Sequence, residues 1–361
     1  MKNKIKPDPD TAAVSPNANA TTKVKFISKL SLGYYPTPLE ELTRLGAKHG
    51  NHRIYIKRDD MTGPATGGNK TRKLEYILRE ALDQGCSAIL TLGGPQTNHG
   101  RTTVAAAIQC GLKPILVLGG KKPDYLSGNL TLDAMMGAEL VFSDDREATA
   151  KQVISEYEAR GEKVYYMPAG GSSPTGVAGY IMAVPELMKQ LEERDIHPKY
   201  VLCAVGSQGT FDGLLLGAKY FHAPFEVVGV PVAPLKEHQE EGMAAFMNEV
   251  SRIYEMGVTV SPHEVRLFTG PADCPYPGFA YSVPDPATRA VMMEVAKEEG
   301  VILDPVYTGK AFRGMLDLLD QGILDGDVVF VHTGGAAAVW TQEHLNAAQD
   351  ELYANCTIRE I

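Results

Sequence analysis

The chain has 361 residues, 44% hydrophobic and 22% charged, with 35 basic against 44 acidic side chains and a formal net charge of −9. This ordinary globular composition suits one large or two medium domains with a sizeable core, and its acidic balance excludes a general nucleic-acid binder, which needs clustered Lys and Arg. The five cysteines (Cys86, Cys110, Cys203, Cys274 and Cys356) are scattered without a C-x-x-C pair, so they imply no disulfide framework and no metal site.

In chain order, residues 1–25 are rich in Pro, Asp, Ala, Asn and Thr and read as a flexible N-terminal tail. No apolar stretch follows Lys2, Lys4 and Lys6, and no apolar run approaches the ~20 residues that span a bilayer. A soluble cytoplasmic protein without membrane partners is the expectation. Asp59 and Asp60, in "KRDD", are expected to serve turns and caps. Leu74, Ile77, Leu78, Ala81 and Leu82 then fall on one helix face, and Gly85 stops that helix. Short apolar runs follow at 88–92, 114–118, 139–142, 164–167, 200–205, 227–230 and 328–331. Such runs suit strands buried on both sheet faces. Alternating with amphipathic segments, they predict an α/β fold with mostly parallel sheets.

Ligands in such folds sit at the carboxyl ends of strands. Glycine-rich segments occupy those places: "GGPQTNHGR" after 92, "PAGGSSPTG" after 167, "GSQGT" after 205 and "HTGG" after 331. Val205 to Thr210 is the best phosphate candidate, since small residues admit an anion to free amides while Ser207 and Thr210 add hydroxyls. A tight strand-to-helix turn explains the same glycines equally well. Thr97 or Asn98 caps the small-residue helix that follows and could leave donors for a carboxylate, whereas a lone His99 is more often a structural hydrogen-bonder. Lys70, after Gly67-Gly68-Asn69, is either a surface lysine or a cleft amine made nucleophilic by desolvation. The spacing leaves both readings open.

The ordered set "IKRDDMTG", "TGGNKTRKLEYILREALDQG", "GGPQTNHGRTTVAAA", "LDPVYTGKAFRGMLDLL" and "FVHTGG" resembles the D-cysteine desulfhydrase and 1-aminocyclopropane-1-carboxylate deaminase family. The likeness runs from about Pro36 to Trp340. It implies a pyridoxal 5'-phosphate enzyme of the tryptophan synthase β-like fold, fold type II, with two three-layer α/β domains. The large cofactor domain would be 26–71 plus 187–361, and the small substrate domain 72–186. The family's cofactor lysine matches Lys70. Its carboxylate-binding segment matches Thr97, Asn98 and His99, with Asn98 also meeting the phenolic oxygen of the cofactor. Its phosphate loop matches Val205, Gly206, Ser207, Gln208, Gly209 and Thr210, and the partner of the pyridine nitrogen matches Thr333. Tyr281 and Tyr307 match two tyrosines beside the reacting atoms.

Two departures bear on the substrate. Thr97 replaces the usual serine, and Thr308 stands where the deaminases carry a glutamate facing the pyridine nitrogen. A neutral hydroxyl there makes the ring a weaker electron sink, which argues against cyclopropane ring opening and for loss of a β-substituent. The resemblance thus implies a homodimeric carbon-sulfur lyase acting on a small amino acid. D-Cysteine, yielding pyruvate, ammonium and sulfide, comes first. L-Cysteate, releasing sulfite, and 1-aminocyclopropane-1-carboxylate are the alternatives, and a non-catalytic phosphate-ligand binder is the competing class. The Pro-rich segment 268–279 is expected to shape the leaving-group end.

Overall fold

The computed structural model describes residues 28–273, 275–278 and 280–360, so the predicted tail at 1–25, Cys274 and Phe279 lie outside it. Two sheets organise the rest. The larger contains β1 (Leu39–Glu41), β2 (Ile54–Lys57), β7 (Tyr200–Val205), β8 (Glu226–Pro231), β9 (Arg266–Leu267) and β10 (Val328–Val331) in the order β1-β2-β10-β7-β8-β9. Only β1 runs antiparallel, against β2. The smaller, all parallel, contains β3 (Ala88–Gly93), β4 (Lys113–Gly119), β5 (Glu139–Ser143) and β6 (Val164–Met167) in the order β5-β4-β3-β6. The helices are α1 (Thr43–Lys48), α2 (Lys70–Asp83), α3 (Asn98–Gln109), α4 (Asn129–Met135), α5 (Arg146–Glu158), α6 (Pro174–Ile181), α7 (Ala183–Glu193), α8 (Gly209–Tyr220), α9 (Gln239–Ile253), α10 (Pro286–Glu299), α11 (Thr308–Asp320) and α12 (Gln342–Asn355).

All seven apolar runs form strands; β3, β7 and β10 are buried along their whole length, whereas β5 and β6 are only half-buried. In β7, Val201, Cys203 and Val205 enter one core cluster while Tyr200, Leu202 and Ala204 enter the other. Strand β10 divides likewise, Val329 and Val331 against Val328 and Phe330. This is the two-residue period of a strand buried from both sides. Around the smaller sheet, the predicted face of α2 (Leu74, Ile77, Leu78 and Ala81) packs with Ile89, Ala106 and Met167. Each leucine, isoleucine or methionine among them contributes about 1.5–3 kcal/mol on burial. Gly85 follows that helix in the left-handed region, at φ +73.

Strand β2 escaped the reading of apolar runs because Lys57 interrupts it. That lysine is buried and donates to Glu186 Oε1 (2.5 Å), Thr37 O (2.7 Å) and Gln190 Oε1 (2.7 Å). Asp59 also departs from expectation. It lies in a single 3-10 turn, Asp59–Met61, but its carboxylate caps nothing. It receives Arg72 Nε (2.8 Å) and Nη2 (2.9 Å), Tyr180 Oη (2.7 Å) and Thr37 Oγ1 (2.7 Å). Burial alone would raise its pKa, yet the Arg72 guanidinium and Lys57 hold it down at about 2. Arg72 also grips Glu186 through Nη1 and Nη2 (2.8 and 2.9 Å). This buried network fixes the turn that leads into Lys70.

Each sheet has a point where the strand order reverses. In the larger it lies between β7 and β10, and in the smaller between β3 and β6. Loops diverge at such points and leave a crevice beyond the carboxyl ends of the strands. Here the loops after Val205 and Val331 face those after Gly93 and Met167 across one cavity.

Candidate active site

The cavity has a volume of about 380 Å³ and takes walls from both sheets. Its lining includes Lys70, Arg146 and Lys236 but no Asp or Glu among the described residues. In a protein of net charge −9 this is a cationic enclave.

Lys70 is the first residue of α2, and its Nζ donates to Asn69 Oδ1 (3.1 Å). Asn69 in turn donates Nδ2 to Thr210 Oγ1 (2.8 Å) and its backbone N–H to Thr333 O (3.0 Å). Three glycine-rich loops are thereby joined at one lysine. Gly67 and Gly68 have φ +67 and +120, and a Cβ on them would come within 2.1 Å of Asp60 O and 3.0 Å of Thr333 O. These glycines therefore serve loop-to-loop contact rather than the approach of a flat ligand. Desolvation, reinforced by repulsion from Lys73 and Arg101, pulls the Lys70 pKa well below the usual lysine range. The surface-lysine reading is excluded: the amine lines a cavity, where burial favours its neutral form more than water would.

Thr97 caps α3, accepting from Gly100 N–H (3.2 Å), which leaves its hydroxyl hydrogen free. Asn98 Oδ1 accepts from Arg101 Nη1 (3.1 Å) and Asn129 Nδ2 (3.0 Å), so its NH2 remains available to the cavity that it lines. The His99 side chain is turned onto the sheet. Thr91 Oγ1 donates to Met167 O (2.9 Å), so the Nε2–H of His99 must donate to Thr91 Oγ1 (2.9 Å). Nδ1 is a buried acceptor without a partner. Burial, with Lys70 and Lys73 nearby, holds this imidazole neutral. What His99 can offer a carboxylate is its backbone amide, which with that of Asn98 opens the first turn of the helix.

Beyond Val205, Gly206 to Gln208 lead into α8, with Gln208 in the left-handed region at φ +68. Gly209 and Thr210 begin that helix; the Gly209 N–H turns back onto Ser207 O (2.9 Å), which leaves the Thr210 amide and hydroxyl as donors for an anion. Lys73, which is not among the residues lining the cavity, packs against the Gly209 end of this loop and escaped the reading of the sequence. It is 1% exposed, donates to Gly170 O (3.3 Å), and its Nζ stands 2.8 Å from where a Cβ on Gly209 would be. Burial lowers its pKa to about 8, with Asp212 opposing the shift. The available signal was spacing, since Lys73 and Ile77 are four apart and share the buried stripe of α2. Asp212 lies beneath the loop with both carboxyl oxygens buried and unpartnered, and burial raises its pKa to about 7 against the pull of Lys73.

Tyr281 and Tyr307 both line the cavity, and their hydroxyls hydrogen-bond to each other. The rings meet edge to face, with centroids 5.8 Å apart. The Tyr307 ring lies so close to Gly206 that a Cβ there would meet Cε1 at 2.8 Å. Thr333 lines the cavity, whereas Thr308 does not. The Thr308 hydroxyl donates to Asp304 Oδ1 (2.7 Å) and accepts from Asp304 N–H (2.7 Å). The Asp304 carboxylate is itself taken up by the backbone amides of Val306, Tyr307 and Thr308. The segment 268–279 contributes no residue to the described lining, although Tyr281 follows directly after it.

The residues present fit a phosphorylated aldehyde: a cavity amine at Lys70 whose pKa burial lowers, and small residues with hydroxyls at Gly206 to Thr210, at the head of α8, with the Lys73 ammonium packed against Gly209. The comparisons agree. A family model described as "Pyridoxal-phosphate dependent enzyme" matches residues 30–334. A putative 1-aminocyclopropane-1-carboxylate deaminase of Thermotoga maritima is 39% identical over 319 residues, 87% of this chain and 98% of that protein. A D-cysteine desulfhydrase of Yersinia enterocolitica is 36% identical over 328 residues, 88% of this chain and 97% of that one. The crystal structure of an ACC deaminase homologue superposes with a TM-score of 0.81 at 34% identity, covering 92% of this chain and 97% of the other. The chain therefore belongs to the pyridoxal-phosphate-dependent enzymes of fold type II and, within them, to the lyases of the D-cysteine desulfhydrase and 1-aminocyclopropane-1-carboxylate deaminase family.

Proposed function

We propose that this lyase removes a sulfur substituent from the β-carbon of a small amino acid, with D-cysteine first, giving pyruvate, ammonium and sulfide. Held at Lys70, the cofactor supplies the sink for the electrons left when the α-proton departs. The chain's own groups support the remaining roles. The Asn98 and His99 amides, with the Thr97 hydroxyl, receive the substrate carboxylate. The Lys70 amine, its pKa lowered by burial, is a base suited to the α-proton. The Tyr281–Tyr307 pair holds a proton beside the cavity, available to the departing sulfur. Val205 to Thr210, with Lys73, bind the phosphate. Thr333 offers the pyridine nitrogen a neutral hydroxyl.

The observation that carries this reading is the lack of a carboxylate in the described lining, with Thr308 engaged by Asp304. A neutral ring partner favours expulsion of a good leaving group over a long-lived carbanion. A second reading, L-cysteate with sulfite as leaving group, draws support from Arg146 and Lys236 in the cavity wall. Pyruvate, sulfide and sulfite measured with D-cysteine, L-cysteate and β-chloroalanine separate the two. No pyruvate from any of them would defeat both. Borohydride reduction should fix the cofactor on Lys70, and Lys70→Ala should abolish turnover. A colourless protein that takes up no pyridoxal phosphate would instead indicate a non-catalytic binder.

The division into 26–71 plus 187–361 and 72–186 remains part of this proposal: the smaller sheet spans 88–167, while Val177 to Val184 pack in the core of the larger one. We read the enzyme as a cytoplasmic homodimer. No helix among the described residues is long and apolar enough to cross a membrane.

A further inference from the structure

Arg101 is 1% exposed, and no carboxylate among the described residues lies within ion-pair distance of it. Asp133 and Asp304 act on it only beyond ion-pair distance, and a buried guanidinium without a direct ion pair is expensive and contributes little to stability. Its hydrogen bonds indicate another use. Nη1 reaches Asn98 Oδ1 (3.1 Å) and Asn129 Oδ1 (2.8 Å), and Nη2 reaches Gly67 O (2.8 Å). One planar group thus touches the side chain of a cavity residue on α3 and the backbone three residues before Lys70.

We propose that Arg101 is a positioning residue that locks the Asn98 amide with its NH2 toward the cavity and sets its distance from Lys70 through Gly67. Asn98 could otherwise rotate half a turn and present its oxygen. With Oδ1 held by both Arg101 and Asn129, rotation would place NH2 against two donors and lose both bonds. A phenolic oxygen entering the cavity then always meets a donor. The Gly67 contact ties the small sheet's first helix to the loop carrying the reactive amine, so amine and amide move as one unit. A lysine at 101 retains the charge but not the fork that serves three acceptors. This inference rests on reading Asn98 as a partner of the cofactor.

The test uses purified full-length protein with Arg101→Lys, Arg101→Met and Asn129→Ala. Pyridoxal-phosphate affinity, the wavelength of the visible absorption band and the thermal midpoint are measured for each. The expected result is a roughly tenfold or greater loss of affinity and a displaced band in both Arg101 variants. Asn129→Ala, which keeps the Gly67 contact, should displace the band in the same direction by less. A purely structural role predicts a lower thermal midpoint with unchanged band and affinity below it, which would overturn the proposal. If the Arg101 variants do not fold, an unmoved band in Asn129→Ala overturns it on its own and a moved band supports it. Failure of the wild-type protein to bind pyridoxal phosphate would instead sink the reading on which the proposal rests.

Discussion

The Lys73 ammonium occupies the space that a side chain on Gly209 would need, 2.8 Å from that Cβ position. A glycine at the head of α8 and a lysine three residues beyond Lys70 are therefore one device: the first leaves room, the second fills it with charge. Lys73→Gln should weaken pyridoxal phosphate binding about tenfold to a hundredfold, the usual worth of a charge-assisted hydrogen bond. Binding of unphosphorylated pyridoxal should hardly change. Titration with both ligands checks this, and an equal loss for the two would show that Lys73 acts through the fold instead.

Asp212 should make the cofactor-free protein's stability depend on pH. Its folded-state pKa of about 7 lies above the ordinary value of 3.8, so the native state binds more protons than the unfolded state between about pH 4 and 7. Stability therefore falls as pH rises through that window. Asp212→Asn should flatten the slope, and urea denaturation at pH 5 and pH 8 measures it. A slope identical to wild type would remove Asp212 from the account.

Tyr307→Phe should lower kcat with D-cysteine by roughly 10²–10⁴-fold if its hydroxyl helps transfer the proton. The pyridoxal phosphate affinity should be unaltered. Tyr281→Phe should do less if Tyr307 is the proximal donor, since Tyr281 is 46% exposed. Steady-state kinetics paired with cofactor titration distinguishes a catalytic loss from a binding one.

Arg146→Gln and Lys236→Gln should raise KM for L-cysteate while leaving β-chloroalanine turnover near wild type, because only the sulfonate carries a second negative charge. Equal KM changes for both substrates would remove the cationic rim from specificity.

Asp59→Ala should destabilise the protein by about 3–5 kcal/mol, because it strands the buried Arg72 guanidinium. The thermal midpoint reports it. A loss below about 1 kcal/mol would mean that Glu186 alone satisfies Arg72.

Much of this was legible in the sequence. The strands at 200–205 and 328–331 were visible because burial on both faces leaves an uninterrupted apolar signature, and a cap at Thr97 or Asn98 was visible before a small-residue helix, the structure choosing Thr97. Strand β2 was hidden by Lys57, whose ion-pair partner, Glu186, lies 129 positions away. Lys73 and Arg101 were hidden for the same reason. A buried cation looks like a surface one until its distant acceptors, Gly170 O and Gly67 O, are in place. The orientation of the His99 ring was likewise beyond reach, being set by a hydroxyl on β3 that already serves Met167 O on β6.

Gly206 and Tyr307 approach so closely that a change of size at either is felt at the other. A methyl group at 206 would push the phenol off its partner at 281, and a smaller residue at 307 would open a gap against the anion cradle. Efforts to retool the enzyme for bulkier amino acids should therefore randomise 206 and 307 together, because single-site libraries would sample only the damaged halves of that coupled choice.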